Sequence, residues 1–269
     1  MKTSSTNGNQ KLKNAVRTAA AAIFWLDVWQ GVYLWVRQEI FVVSPAAVLV
    51  RLSELVGEGE FWVNTAGSLL RVLSGFLIAV LLGTALAVLS HRFALVKTLT
   101  KPAISVIKAT PVASFIILAL VWMRSEHMPV LISMLMVLPG VYVNLLEGIR
   151  NVDPELLEMT RVFRFPFRKV LTKLYLPSVA PYFIAACTTG LGLSWKAGVA
   201  AEVLGNTVGS IGGEIYRSKI YLETLDLFSW TLVVILLSMA LEKIVLALLA
   251  RLPFERTDSE RKGEKENEN

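Results

Sequence analysis

The chain has 269 residues, of which 54% are apolar, and it carries a formal net charge of +6 at pH 7. This apolar share exceeds what one soluble core of that size hides from water, so an ordinary soluble domain is excluded. Lys and Arg occur in blocks between apolar runs and build no continuous basic face, which argues against a nucleic-acid partner. The composition favours a membrane-embedded protein.

The beginning of the chain is polar and basic, and residues 1–18 are predicted to be a flexible tail against the cytoplasmic leaflet. The apolar run Ala19–Val43 follows. It is too long and too rich in tryptophan for a signal peptide, so we interpret it as a retained helix. Asp27 lies deep in this run, and the sequence suggests no partner for its carboxylate.

Five further apolar runs each approach the ~20 residues that cross a bilayer as a helix. Unpaired backbone groups are costly in lipid, and the runs lack the alternation of barrel strands, so helices are predicted. The runs are Ala66–Ser90, Ala103–Met123, Met128–Leu146, Val179–Val203 and Asp226–Ala250. The predicted fold is therefore all-α, a polytopic membrane protein with six transmembrane helices.

Basic residues near the helix ends predict that both termini are cytoplasmic. The transmembrane domain is predicted to cover residues 19–250. The last segment, 251–269, alternates charged and polar residues and is predicted to be a disordered cytoplasmic tail.

Small side chains recur every four residues in two of the predicted helices, which is typical of close helix packing in lipid. The second helix carries Gly75, Ala79, Gly83 and Ala87, and the fifth carries Ala186, Gly190, Ser194 and Gly198. The next position on the face of the fifth helix is Glu202.

Ionisable groups within a span cost at least ~2.5 kcal/mol near the bilayer centre, so they usually face a partner or water. Lys196 and Glu202 lie about 120° apart around the fifth helix, and each therefore needs its own partner. Glu202 and Arg71 are close enough to helix ends to reach the membrane surface instead. Proline at 111 is expected to interrupt the third helix, and the Thr110 hydroxyl is placed to bond a freed carbonyl.

The segment between the fourth and fifth helices, residues 150–177, is too polar to cross a membrane and too regularly patterned for a loose loop. Asp153 is a suitable N-cap and Pro154 a suitable first helical residue. The helix is predicted to break near Arg164 and a second helix to run from Pro166 to Pro177. From its pattern alone, this helical elbow has an alternative interpretation, an amphipathic pair lying on anionic lipid.

The same segment resembles the cytoplasmic signature of a known family, the permease subunits of bacterial ABC importers. That signature runs Glu-Ala-Ala, three residues, Gly, nine residues, a hydrophobic residue, one further residue and Leu-Pro. Here Glu158-Met-Thr and Leu176-Pro177 stand at matching spacing, while Arg164 replaces the glycine. Ala109-Thr-Pro111 and the run Gly192–Glu202 resemble the nitrate, sulfonate and taurine subgroup.

The resemblance implies a type I importer permease in the bacterial cytoplasmic membrane, a dimer that forms the translocation pathway for a small anion. It implies two partners, a cytoplasmic ATPase that binds ATP and an extracytoplasmic substrate-binding protein. The implied ATPase-coupling residues are Glu158, Arg161, Val162, Phe163, Arg164, Pro166, Leu171 and Pro177. The candidate pathway residues are Thr110, Pro111, Trp195, Lys196 and Glu202.

The sequence contains no Gly-x-x-x-x-Gly-Lys-Ser/Thr loop, so ATP hydrolysis by this chain itself is not expected. No catalytic residues, metal site or bound cofactor are predicted. The alternative function is a secondary transporter or channel that is not driven by ATP. Such a transporter would need inverted repeats and ion-coupling residues, and no half-to-half similarity is evident.

Overall fold

The computed structural model describes the backbone of residues 5–249 and the side chains of residues 16–248. Regular structure in this part of the chain is helical throughout, which confirms the all-α prediction. The predicted disordered tail, 251–269, lies outside the described residues. The α-helices are α1 (Ser5–Val36), α2 (Pro45–Gly57), α3 (Gly59–Arg92), α4 (Ala94–Ala109), α5 (Val112–Leu120), α6 (Met128–Arg150), α7 (Pro154–Val162), α8 (Phe167–Val170), α9 (Leu176–Gly205), α10 (Ile211–Tyr221) and α11 (Thr224–Leu249).

Five helical stretches of the described chain are long and apolar enough to cross a membrane, and a bent pair, α4 with α5, would make a sixth. The span predicted over Ala103–Met123 is interrupted at Pro111 as expected, and α4 and α5 on either side of the break meet at an angle of 100°. The break lies at Thr110, which is extended with ψ 128°. A residue before proline is pushed out of the helical region, and Pro111 has no N–H to continue the helix.

The first helix also differs from its predicted bounds. It begins at Ser5, so most of the segment predicted as a flexible tail is helical. It ends at Val36, before the predicted limit of Val43, and Arg37 takes a left-handed conformation with φ 51°. Asp27 is exposed on this helix.

The described chain divides into two compact units, the first formed by residues 5–62 with Glu214–Val233. Within this unit Arg51 of α2 forms a bidentate ion pair with Asp226 of α11, at 2.6 and 3.0 Å. Phe61 stacks on Trp230 with ring centroids 5.2 Å apart. The ion pair and the ring contact tie α2 and the start of α3 to the first half of α11.

The second unit contains residues 63–213 and 234–249, and its core lies between α3, α6 and α9. The predicted small-residue stripes are confirmed as packing faces. Ala79 and Ala87 of α3 are fully buried, and Gly190 of α9 lies against Val137 of α6. Close approach of this kind replaces the hydrophobic effect as the source of helix association in lipid.

Gly75 offers the most direct test of this packing, because a Cβ there would overlap the Val130 carbonyl and lie 2.8 Å from the Ser133 Cβ. We expect Gly75→Ala to destabilise the protein by about 1–3 kcal/mol, since a backbone carbonyl cannot move aside as a side chain can. Gly140→Ala in α6 is the matched control, because nothing lies within 4 Å of its added Cβ. Thermal unfolding in detergent measures both variants, and equal melting temperatures would contradict the prediction.

Candidate functional site

The segment between α6 and α9 begins with the helix α7, whose start follows the predicted pattern. The Asp153 carboxylate accepts a hydrogen bond from the Glu155 N–H at 2.9 Å, and Pro154 occupies the first turn. Asn151, just before the cap, donates through its side chain to the Tyr182 hydroxyl of α9 at 2.9 Å. The start of the segment is thus held by a cap and by a contact with the following long helix.

The end of α7 is a Schellman motif in which Arg164 occupies the left-handed position, with φ 50°. The N–H of Phe165 donates to the Thr160 carbonyl at 2.9 Å, and this bond closes a turn of six residues. The N–H of Arg164 donates to the Arg161 carbonyl at 3.1 Å. Glycine usually takes this position, and a side chain there costs about 1 kcal/mol. The turn that the signature's glycine would allow is therefore formed here by arginine.

After this turn the chain starts a second helix at Phe167, with Pro166 as the preceding cap residue. The prediction that this helix ends at Pro177 is wrong, since helical structure continues from Phe167 to Gly205. Residues Leu171–Tyr175 form a π-helical turn in which the Leu176 N–H bonds to the Leu171 carbonyl. Because this turn has already left the i→i−4 pattern, the proline after it interrupts no regular bond.

Large apolar side chains are exposed around the bend of this segment, and we call them the apolar tip: Val162, Phe163, Phe165 and Phe167. Val162 is 77% exposed, Phe163 67% and Phe167 74%. The charged residues Glu158, Arg161 and Arg164 around the apolar tip are also exposed. Clustered exposed aromatic residues mark an interaction surface. Sequence reasoning named Val162 and Phe163 but missed Phe165 and Phe167. A signal was present, because phenylalanine occupies every second position from 163 to 167, across the predicted helix break.

The apolar side chains of α7 and its C-terminal turn differ in their surroundings. Leu156 and Met159 line a cleft, whereas Val162 and Phe163 belong to the apolar tip. Leu171, a predicted coupling residue, lies in the π-helical turn and is 39% exposed. The cleft is lined by Leu156, Met159, Thr160, Phe165, Lys169, Val170, Lys173 and Leu174.

The predicted pathway residues lie in different environments. The Thr110 hydroxyl donates to the Val106 carbonyl at 2.8 Å. That carbonyl already accepts the Thr110 N–H at 3.0 Å, so the hydroxyl does not bond the Ile107 carbonyl that Pro111 leaves without a helical donor, and the expected role is not confirmed. Lys196 is exposed on α9. Trp195 is 1% exposed, and its indole N–H donates to the Val234 carbonyl of α11 at 3.0 Å.

Glu202 is fully buried, so the expectation that its carboxylate reaches the membrane surface is wrong. Its Oε2 accepts hydrogen bonds from the Ser68 hydroxyl at 2.7 Å and from the Gly212 N–H at 3.1 Å. Its Oε1 accepts from the Arg71 guanidinium at 3.3 Å. Arg71, also expected at the surface, is held in this ion pair with 22% of its side chain exposed. Each oxygen of the buried carboxyl group thus has a donor, which offsets the cost of removing it from water.

Sequence reasoning predicted that Glu202 needs its own partner but did not find Ser68 or Arg71. A weak signal was present, because Ser68 and Arg71 are three apart and share one face of α3. Among the described side chains, no group of three or more His, Cys, Asp or Glu residues is placed to hold a metal ion.

Residues 76–256 match the family described as binding-protein-dependent transport system inner membrane components. A Bacillus subtilis permease named for the transport of aliphatic sulfonates is 25% identical over 206 residues, covering 76% of this chain and 74% of its own length. The nitrate import permease of Leptolyngbya laminosa is 26% identical, covering 74% of each chain. A bicarbonate transport permease of Synechococcus elongatus is 27% identical, covering 58% of this chain and 56% of its own.

Proposed function

This chain belongs to the family of binding-protein-dependent transport system inner membrane components, and from this premise we propose that it forms an anion pathway driven by a separate ATPase. It is a membrane permease of the sulfonate, nitrate and bicarbonate transport type.

The observation that carries the coupling proposal is the apolar tip and its continuity with a long apolar helix. Val162 and Phe163 are exposed at the bend, and the contact of their apolar surface with water is unfavourable. The same bend leads without a break into the helix Phe167–Gly205. An ATPase that binds the apolar tip would thus move α9 as a rigid body. That movement would shift the helix bundle between inward-open and outward-open states.

The assembly we propose is a homodimer with both termini cytoplasmic in a bacterial cytoplasmic membrane. In this orientation the segment 150–177 faces the cytoplasm and meets the ATPase. The segments 44–65 and 205–225 then face outward and receive the substrate-binding protein. The excess of Lys and Arg on the proposed cytoplasmic side supports this topology.

The substrate class we propose is a small anion such as a sulfonate, taurine, nitrate or bicarbonate. Relatives named for aliphatic sulfonates, nitrate and bicarbonate support this class. Lys196 also supports it, because it is an exposed cation within an apolar helix, where a charge is retained for a partner or a wet cavity. Thr110 and Pro111 are proposed to border the same pathway, while buried Trp195 and Glu202 would act on it by positioning its walls.

We expect Lys196→Ala to lower anion uptake by about tenfold, since one nearby charge contributes of the order of 1–4 kcal/mol to a passing ion. ATP hydrolysis and assembly with the ATPase should be retained. Lys243→Ala, which removes another exposed lysine from an apolar helix, is the matched control. Equal uptake by wild type and both variants would remove Lys196 from the pathway.

The function itself is tested in proteoliposomes that hold this chain with its ATPase, supplied with the substrate-binding protein outside. Labelled taurine, an alkyl sulfonate, nitrate and bicarbonate are compared as substrates. We expect uptake of one of them to require ATP, the ATPase and the binding protein together. Uptake that persists without ATP, or without either partner, would favour the secondary transporter and contradict the proposal.

A further inference from the structure

A short turn follows α9, and we call residues 206–210 the glycine turn. It begins at Asn206 and contains Gly209, both left-handed, with φ 46° and 64°. The Arg71 guanidinium grips this turn, donating from Nη1 and Nη2 to the Gly209 carbonyl at 3.0 and 3.1 Å. Arg71 also donates to the Val208 carbonyl at 3.5 Å. One side chain of α3 therefore holds two successive carbonyls of the turn.

Buried hydroxyls fix the same turn from within. Thr207 is fully buried and donates to the Ser125 carbonyl at 3.0 Å. Ser210, also fully buried, donates to the Thr207 carbonyl at 2.7 Å. The N–H of Ile211 donates to the hydroxyl of Ser68 at 2.9 Å, and that hydroxyl donates in turn to Glu202. The turn is thus tied to α3, to α9 and to the segment before α6.

The Val208 side chain points outward from this anchored turn, because it is 82% exposed between Thr207, which is buried, and Gly209, which is half-buried. The turn lies just beyond Gly205, where the apolar helix ends. An apolar side chain held on a rigid turn beyond the membrane span has the geometry of a contact point for another protein.

We infer that Arg71 and Glu202 are a positioning pair that holds the glycine turn so that Val208 enters an apolar pocket on the substrate-binding protein. The inference rests on the proposed function, which places this end of α9 outside the cell. Arg71 donates hydrogen bonds to the turn, and Glu202 fixes the orientation of the guanidinium that makes these bonds. Neither residue needs to touch the partner.

A folded protein fits this surface better than lipid does. Lipid chains adapt to a surface of any shape, so fixing the turn by buried hydrogen bonds does not strengthen their interaction with it. A partner with a defined pocket gains affinity from such preorganisation, because less ordering remains to be done on binding.

The test uses the complete transporter in nanodiscs and measures the affinity of its substrate-binding protein by interferometry. We expect Val208→Glu to weaken binding by at least about tenfold, the effect of losing one well-packed contact. Its melting temperature should match wild type, because the side chain is 82% exposed. Val208→Ala, the milder variant, should weaken binding less. Unchanged affinity in both variants, with wild type binding normally, would overturn the inference.

Arg71→Lys separates positioning from a merely structural role. Lysine keeps the positive charge beside Glu202 but lacks the fork that holds two carbonyls. We expect its melting temperature to stay close to that of wild type while affinity for the binding protein falls by about tenfold. Arg124→Gln is the control, since this arginine forms an exposed ion pair with Glu126. Wild-type affinity in Arg71→Lys would overturn the positioning role.

The failure of the proposed function gives a different result from the failure of this inference. If the wild-type transporter binds no substrate-binding protein, the proposed partner is wrong and the inference falls with it. If wild type binds and every Val208 and Arg71 variant binds equally well, only the inference falls.

Discussion

Replacing Phe163 with glutamate is expected to release the ATPase and abolish ATP-driven uptake while the protein still folds. Phe163 is 67% exposed and its ring lies 6.2 Å from that of Phe165, which is also exposed, so its replacement should leave the core of this chain intact. Truncating an aromatic anchor at an interface typically costs 2 kcal/mol or more, and a buried charge adds to that loss. Affinity for the ATPase should therefore fall at least about 30-fold.

The measurement is co-purification of the ATPase with the tagged permease at equal expression. Phe93→Glu is the matched control, because Phe93 is half exposed and the proposed topology places it on the same side of the membrane, outside the segment 150–177. The control should retain the ATPase. If the Phe163 variant retains it as well, the apolar tip does not hold this partner.

Replacing Glu202 with alanine is expected to destabilise the protein by about 3–5 kcal/mol, the usual cost of breaking a buried ion pair. The change leaves the Ser68 hydroxyl and the Gly212 N–H without their acceptor in a fully buried place. It also leaves the Arg71 cation without its counter-charge. The melting temperature in detergent and the yield of monodisperse protein should both fall.

Two further variants test the physical cause of this loss. Glu202→Gln keeps one acceptor oxygen but replaces the other, together with the charge, by an amide NH2 that only donates, so its melting temperature should lie between those of wild type and Glu202→Ala. Glu126→Ala breaks an exposed ion pair with Arg124, which is worth less than about 1 kcal/mol, and should leave the melting temperature unchanged. A wild-type melting temperature in Glu202→Ala would show that the buried pair is dispensable.

Local signals allowed the segment 150–177 to be predicted in much of its detail. Asp153 and Pro154 define the start of α7 because a cap and a first-turn proline act within three residues of each other. The break at Arg164 was also predicted. Its left-handed conformation was not, because the surrounding hydrogen bonds rather than the residue type decide it.

Features that depend on distant contacts were the ones that sequence reasoning missed. Glu202 bonds to side chains 131 and 134 positions away, and no local pattern in α9 reveals them. The bend at Thr110 follows from a local rule about proline, but the angle of 100° depends on how α5 packs on α6 and α9. The helix continues through Pro177 because of the π-helical turn before it, and no sequence pattern predicts that turn.

The most direct test of coupling through the apolar tip is a site-specific cross-link to the ATPase from Arg161→Cys, an exposed position beside the apolar tip that leaves its aromatic side chains in place. The chain's single natural cysteine, Cys187, is 4% exposed, so a thiol-reactive photo-cross-linker would attach at the new site alone. In the assembled transporter we expect one product with the combined mass of the permease and the ATPase, which disappears when the ATPase is omitted. Cross-links confined to lipid or to the permease, in a transporter that contains the ATPase and is active, would contradict the account.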